Sequence, residues 1–231
     1  MDGANANANK YKVVSPDSPL TVSMFADANA TVVGDGVCLY MFNACTGIGF
    51  HLGENFGFHS EWNRVTTVGE AFCIGMFSNC STLSSLSSNF NLPQGITTVG
   101  DSFCYDMFLD CASLASLPSN FNIPQGITTV GDYFCYSMFY GCYHDNFQVP
   151  AGFRFPLLSS TEVNKTDVFC YMFYVIVNKT YPPQPVSAAT IINGNPTPSS
   201  ARNTFRTISQ GHAETNNRWG AGTNSLPANW R

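Results

Sequence analysis

The chain has 231 residues, a formal net charge of −5 and only 11% charged residues, against about 25% in typical globular domains. Apolar residues reach 44%, so a core can form, and Ser, Thr, Asn and Tyr must cover the surface that charge leaves bare. No Lys or Arg occurs between Val65 and Phe153, while Glu70, Asp101, Asp106, Asp110, Asp132 and Asp145 fall inside that interval; nucleic-acid binding needs a basic footprint and is set aside.

Residues 1–30 read as an N-terminal cap or linker. They hold two candidate strands, KYKVV at 10–14 and LTVSMF at 20–25, suited to covering the first unit of an array whose ends need caps. The opening MDGANANANKYKVV has no apolar h-region of a signal peptide, and its Asn/Ala stutter reads as a linker in a piece of a longer chain. The longest apolar run, VFCYMFYVIV at 168–177, is half the about 20 residues that a membrane helix needs.

From 31 to 180 the chain repeats itself. Gly34, Gly69, Gly100 and Gly131 head four units, and TDVFCYMF at 166–173 is a fifth, decayed copy. Segments 88–111 and 119–142 align without a gap and differ only at Leu92/Ile123, Ser102/Tyr133, Asp106/Ser137, Leu109/Tyr140 and Asp110/Gly141. In the unit 100–130, Asp101 sits as an N-cap before Phe103, Cys104, Met107, Phe108 and Cys111, which recur at i, i+1, i+4, i+5 and i+8. That spacing predicts a short helix with one apolar face. CASLASLP then predicts a short strand stopped by Pro118, and ITTV at 127–130 a second one closed by Gly131. Neither element buries its apolar face alone, so the units are expected to stack.

The string ITTVGDSFCYDMFLDCASLASLP resembles the BspA-like class of leucine-rich repeats through Val99, Gly100, Phe108, Cys111, Leu114 and Leu117. The resemblance spans about residues 30–175. It implies an α/β repeat solenoid: a short leucine-rich-repeat-like stack of about five coils of 31–35 residues, each with short strands and a short helix. It also implies attachment at a bacterial or protist cell surface. Residues 143–165 break the pattern, and 181–231 form a polar segment expected to pack on a coil or on a neighbouring molecule, with Arg202, Arg206 and Arg218 near acidic edges.

The cysteines fall into two repeat positions. Cys38, Cys73, Cys104, Cys135 and Cys170 share one repeat position, and Cys45, Cys80, Cys111 and Cys142 another. Their C-x₆-C spacing is too wide for a zinc clip. Helices stacked at about 8–10 Å would also hold the columns outside disulfide reach, so buried thiols acting as small hydrophobes are expected, with inter-coil disulfides the alternative. His51, His59, His144 and His212 form no recognisable arrangement, and the exposed threonines of the ITTV strings make too small an array for ordering water. The expected role is therefore non-catalytic, without metal or cofactor: a cell-surface or secreted adhesion module binding a protein or glycan. Its candidate surface is Tyr105, Tyr136, Tyr133, Tyr140, Asp101, Asp106 and Asp132, since exposed Tyr gives rigid amphipathic contact area. The alternative is a structural subunit that associates with itself end to end. Neither nucleic acid nor membrane insertion is expected.

Overall fold

The backbone of the repeat is set by every fourth residue. In the computed structural model, which describes residues 29–47, 52–53, 56–147, 150, 152–156, 158–159, 162 and 165–172, positive φ recurs at Gly36, Tyr40 and Ala44, then at Ala71, Gly75 and Asn79. It continues at Ser102, Asp106 and Asp110, at Tyr133, Ser137 and Gly141, and at Asp167 and Tyr171. Many of these are Gly, Asn or Asp, the residue types that enter the left-handed region at least cost.

The helix expected over 101–111 is therefore replaced by a run of tight turns. An α-helix would send each N–H back four residues. Instead the N–H groups of Ser102, Cys104, Asp106, Phe108 and Asp110 donate across to the carbonyls of Asp132, Phe134, Tyr136, Met138 and Tyr140 at 2.7–2.9 Å. The intervening amides close local turns, as in Met107 N–H to Cys104 O (3.3 Å) and Leu109 N–H to Asp106 O (3.0 Å). The apolar spacing i, i+1, i+4, i+5 fits a four-residue turn as well as a helix, so the inward residues are those expected while the backbone is not.

The residues just before Gly34, Gly69 and Gly100 supply a small parallel sheet. β1 (Val32–Val33), β2 (Thr67–Val68) and β3 (Thr98–Val99) lie in the order β1-β2-β3, with Val32 opposite Thr67 and Thr67 opposite Thr98. A single bridge, Thr98 to Thr129, continues the row, and another, Ser85 to Ser116, marks the strand expected in CASLASLP. One 3₁₀ helix, Ser60–Arg64, fills the longer first repeat and buries Trp62.

Repeats linked by backbone hydrogen bonds lie about 4.7–4.9 Å apart, as neighbouring strands do, and identical side chains then stack. Phe42, Phe77, Phe108 and Phe139 form one column, with ring centroids 5.4–5.6 Å apart and planes within 9°. Phe72, Phe103 and Phe134 form a second, at 5.5 Å. Phe56, Phe90, Phe121 and Phe153, from the loops, form a third at 6.0–6.4 Å. The third meets the first edge-on, as in Phe108–Phe121 at 74°. Offset stacked and edge-to-face pairs each add about 0.5–1.5 kcal/mol beyond burial, so the columns fix register as well as fill space. Side-chain amides tie the loops similarly: Asn91 Oδ1 accepts the Asn122 N–H (2.9 Å), and Asn122 Oδ1 accepts that of Arg154 (2.8 Å).

Gly100 and Gly131 explain the recurring VGD. The Asp101 carboxylate folds over the next repeat to accept the Asp132 N–H at 2.8 Å. A Cβ on Gly131 would run into that carboxylate and into the Asp101 backbone. A Cβ on Gly100 would lie 2.7 Å from the Glu70 nitrogen, where no real Cβ fits.

The expected strands at 10–14 and 20–25, and the whole polar segment 181–231 with its arginines, lie outside the described residues.

Two stability measurements test this backbone. Ala71 has φ of 58°, a strain of about 1–2 kcal/mol for an L-residue. Glycine removes it at a chain-entropy cost of about 0.4–1 kcal/mol, so Ala71→Gly should raise urea stability by roughly 0.5 kcal/mol. In a helix the same change would lower it by about 1 kcal/mol, which would overturn the turn assignment. Phe108 is fully buried between Phe77 and Phe139, and Phe108→Ala should cost about 3–5 kcal/mol in the same titration.

Candidate interaction surface

The turn tract has an outer side, and tyrosines gather on it. Tyr105 and Tyr136 occupy one position in successive repeats and stack at 4.9 Å with planes 9° apart. Tyr133 stands edge-on to both, at 6.3 Å and 5.9 Å. Tyr171 stands edge-on to Tyr136 at 5.5 Å. Tyr133 is exposed and the other three are half-buried, so the cluster offers ring edges and hydroxyls while its faces are held by one another. Burial, followed by the neighbouring Asp106, raises the Tyr105 phenol above its ordinary value. Burial likewise raises Tyr136, with Cys170 next in effect. Both stay neutral hydrogen-bonding groups at physiological pH.

Tyr171 is a member that the sequence reading missed. Aligning Phe-Cys-Tyr at 169–171 with the same string at 134–136 puts Cys170 in the first cysteine column. The backbone sets a different register: Tyr133 N–H donates to Thr166 O and Cys135 N–H to Val168 O. Positive φ at Asp167 and Tyr171 matches Tyr133 and Ser137. Cys170 therefore corresponds to Tyr136, Phe169 to Cys135, and Cys170 leaves the column to which it was assigned. Counting back from Met172 without a gap would have given this register.

The other candidates divide by what their side chains do. Asp101 and Asp132 are committed to the fold, because their carboxylates accept the Asp132 and Thr166 N–H groups at 2.8 Å each. Tyr140 is half-buried and belongs to the same tract through its carbonyl, which accepts the Asp110 N–H. Asp106 follows Tyr105 in the turn that the Met107 N–H closes onto the Cys104 carbonyl. Burial, and then the Asp110 carboxylate, push its carboxyl up to about 7; burial also raises Asp110.

All nine cysteines are buried and outside any disulfide. The Sγ atoms of Cys80 and Cys111 reach the carbonyls of Phe42 and Phe77, at 2.9 Å and 3.1 Å. Burial raises the thiols of Cys73, Cys104 and Cys142, and pushes Cys111 up to about 12, which keeps them protonated and weakly nucleophilic. The spacing of 8–10 Å between stacked helices does not apply, and hydrogen-bonded repeats bring each column into the Cα range in which disulfides form. At Cys73, Cys104, Cys111 and Cys142, burial and protonation rather than distance keep the thiols weakly nucleophilic. Among the described residues there is no group of three or more His, Cys, Asp or Glu that could hold a metal ion, and no helix long and apolar enough to cross a membrane. His59 lies 3.5 Å from Glu61, and His144 Nδ1 accepts the Asn146 N–H; His51 and His212 lie outside the described residues.

No protein-family model matches the chain, and neither a curated protein nor a solved structure matches it.

The Asp106 carboxyl gives a pH prediction. Its folded pKa lies above the ordinary carboxylate value, so between about pH 4 and 7 the native state binds the extra proton. Stability must then fall as pH rises through that window. Asp106→Asn, which keeps a residue tolerant of positive φ, should flatten this part of the profile and raise the melting temperature at pH 8. An unchanged slope between pH 5 and 8 would show that Asp106 ionises normally.

Proposed function

We propose that the chain is a short solenoid of leucine-rich-repeat-like units, resembling the BspA-like class, that works as a non-catalytic interaction module on a cell surface or in secreted form. It binds a protein or glycan through its extended outer side. The observation that carries this reading is the cluster of Tyr105, Tyr133, Tyr136 and Tyr171, packed ring on ring at the outside of successive repeats. Rings fixed by their neighbours lose little conformational entropy on binding, and Tyr supplies both apolar area and a hydroxyl. The interval between Val65 and Phe153 carries acids and no Lys or Arg, which favours neutral or basic partners over anionic ones. A repeating array also presents equivalent groups at regular intervals, matching a partner that is itself repetitive, such as a polysaccharide.

The test is binding of the full chain to a glycan array and to intact cell surfaces, with Tyr105→Ala and Tyr136→Ala compared in parallel. The double variant should lose at least tenfold in affinity while keeping a cooperative melt, since truncating a central interface aromatic costs about 2 kcal/mol or more. Equal binding by the wild type and the double variant would remove the tyrosine cluster from the interface.

A further inference from the structure

Backbone carbonyls draw the sulfurs of one cysteine column together. The Phe42 carbonyl accepts the Cys45 N–H at 3.2 Å and is also reached by the Cys80 Sγ at 2.9 Å. The Phe77 carbonyl serves the Cys80 N–H and the Cys111 Sγ in the same way, at 3.1 Å each. The Phe108 carbonyl serves the Cys111 N–H at 3.2 Å and the Cys142 Sγ at 3.4 Å. Each sulfur therefore lies back against the turn that carries the preceding cysteine. The first two tracts are joined just before the pair, where the Ala44 N–H donates to Ser78 O at 2.8 Å. Hydrogen-bonded neighbours at about 4.8 Å hold Cys45 and Cys80 inside the Cα range of about 4.4–6.8 Å in which a disulfide closes.

Spacing alone would make every step of the column equivalent, and access breaks the tie. Cys45 is 5% exposed, the largest value among the nine cysteines, while Cys80, Cys111 and Cys142 are 0% exposed. Thr46 and Gly47, which follow Cys45, are exposed. A hydrogen bond from the Cys80 thiol outweighs burial and lowers the Cys45 thiol below its ordinary value, whereas burial raises Cys111 and Cys142. In the other column Cys38 is 1% exposed, and its hydrogen bond to Cys73, followed by burial, raises it. The thiolate is the attacking species in thiol chemistry, so Cys45 combines a nucleophile, access and a partner sulfur.

We propose that Cys45 and Cys80 form an oxidative modification site, which a peroxide converts to a disulfide tying two neighbouring turn tracts together while the other thiols stay reduced. The Cys45 thiolate attacks one oxygen of hydrogen peroxide, and the O–O bond breaks. Cys45 becomes a sulfenic acid, and the departing hydroxide leaves as water with the proton that Cys45 shed. The Cys80 sulfur then attacks the Cys45 sulfur, the S–O bond breaks and the S–S bond forms. The second hydroxide leaves as water with the Cys80 proton. Two thiols are oxidised and one peroxide is reduced to two waters. The bond joins positions 35 apart in the sequence, and cross-linking a loop of that size restricts the unfolded chain. Oxidation therefore stabilises this end of the described array without moving the tyrosine cluster, whose members lie in later repeats.

Peroxide treatment of the full chain tests the proposal. The reduced native protein is exposed to an equimolar amount of hydrogen peroxide, alkylated in denaturant and mapped by mass spectrometry. A cross-link between Cys45 and Cys80 should form at least tenfold faster than any other, at monomeric mass and with the loss of two hydrogen atoms. The oxidised protein should melt at a higher temperature, and dithiothreitol should reverse both changes. In Cys45→Ala, Cys80 should stay open to alkylation after the same treatment. A first cross-link at any other pair overturns the proposal, and so does a cross-linked dimer. Recovery of all nine thiols from the treated wild type overturns it as well, and the wild-type map alone decides the matter if the variant does not fold.

Discussion

One hydrogen bond, repeated, governs this protein: the peptide N–H of one repeat to the carbonyl of the next, as in Cys38 to Phe72, Cys73 to Phe103 and Cys104 to Phe134. To make it, alternate peptides must turn to point along the array, and the chain does so by placing one residue in four at positive φ. Each such non-glycine residue stores roughly 1–2 kcal/mol of strain. The hydrogen bonds return only about 0.5–1.5 kcal/mol each, so the backbone roughly balances and does not stabilise itself. The net stability must come from the aromatic columns that the same spacing brings into register. Backbone and core are therefore coupled: the strain is tolerable only while the rings stack, and the rings stack only at the hydrogen-bonded spacing.

The fourth residues that take the strain also keep the tract from being a helix. Helices tolerate Asp and Ser poorly in their interiors, because these side chains compete for backbone groups. Ser102, Asp106 and Asp110 occur in a single tract. The tyrosine cluster follows from the same geometry. Tyr105 and Tyr136 meet at 4.9 Å because they hold one position in adjacent repeats, and Tyr133 joins them from a left-handed site that turns its side chain outward. A cluster of this kind needs no loop to shape it, since the ladder sets its spacing.

Much of this was legible in the amino-acid sequence. The copies at 88–111 and 119–142 announce a repeat, and the inward set Phe103, Cys104, Met107, Phe108 and Cys111 is the buried set. The conformation was not legible from hydrophobic spacing, because periods of 3.6 and 4 diverge too little over nine residues. The separating signal lay in the polar residues: Gly36, Gly75, Asn79, Asp106, Asp110, Gly141 and Asp167 all fall on the fourth positions. Taking a helix also brought the wrong distance between units, and with it the wrong reason for free thiols. The decayed last copy misled for a different cause. Matching Phe-Cys-Tyr by identity overrode the backbone register, which places Val168 on the Phe72–Phe103–Phe134 column and leaves Cys170 beside Tyr136.

The scarcity of charge has the same root. In a parallel array each side chain sits about 4.8 Å from its equivalent in the next repeat, so a charge written into the repeat faces its own sign twice. At an effective dielectric of 20 that repulsion is about 3–4 kcal/mol per neighbouring pair. The sequence avoids it where nothing offsets it: the equivalents of Asp106 are Tyr40, Gly75 and Ser137, and those of Asp110 are Ala44, Asn79 and Gly141. One acidic column does recur, Asp35, Glu70, Asp101 and Asp132. There the carboxylates of Asp35, Asp101 and Asp132 each accept the backbone N–H that opens the next tract, at Glu70, Asp132 and Thr166. A charge-assisted bond of this kind is worth about twice a neutral one, which offsets part of the repulsion. Glycine at 69 and 131 clears the path for the folded-over carboxylate, and glycine at 100 makes room for the Glu70 backbone. A chain built by stacking like on like can keep an acid in every repeat only where the backbone of the next repeat solvates it, and elsewhere must use tyrosine, asparagine and threonine to face water.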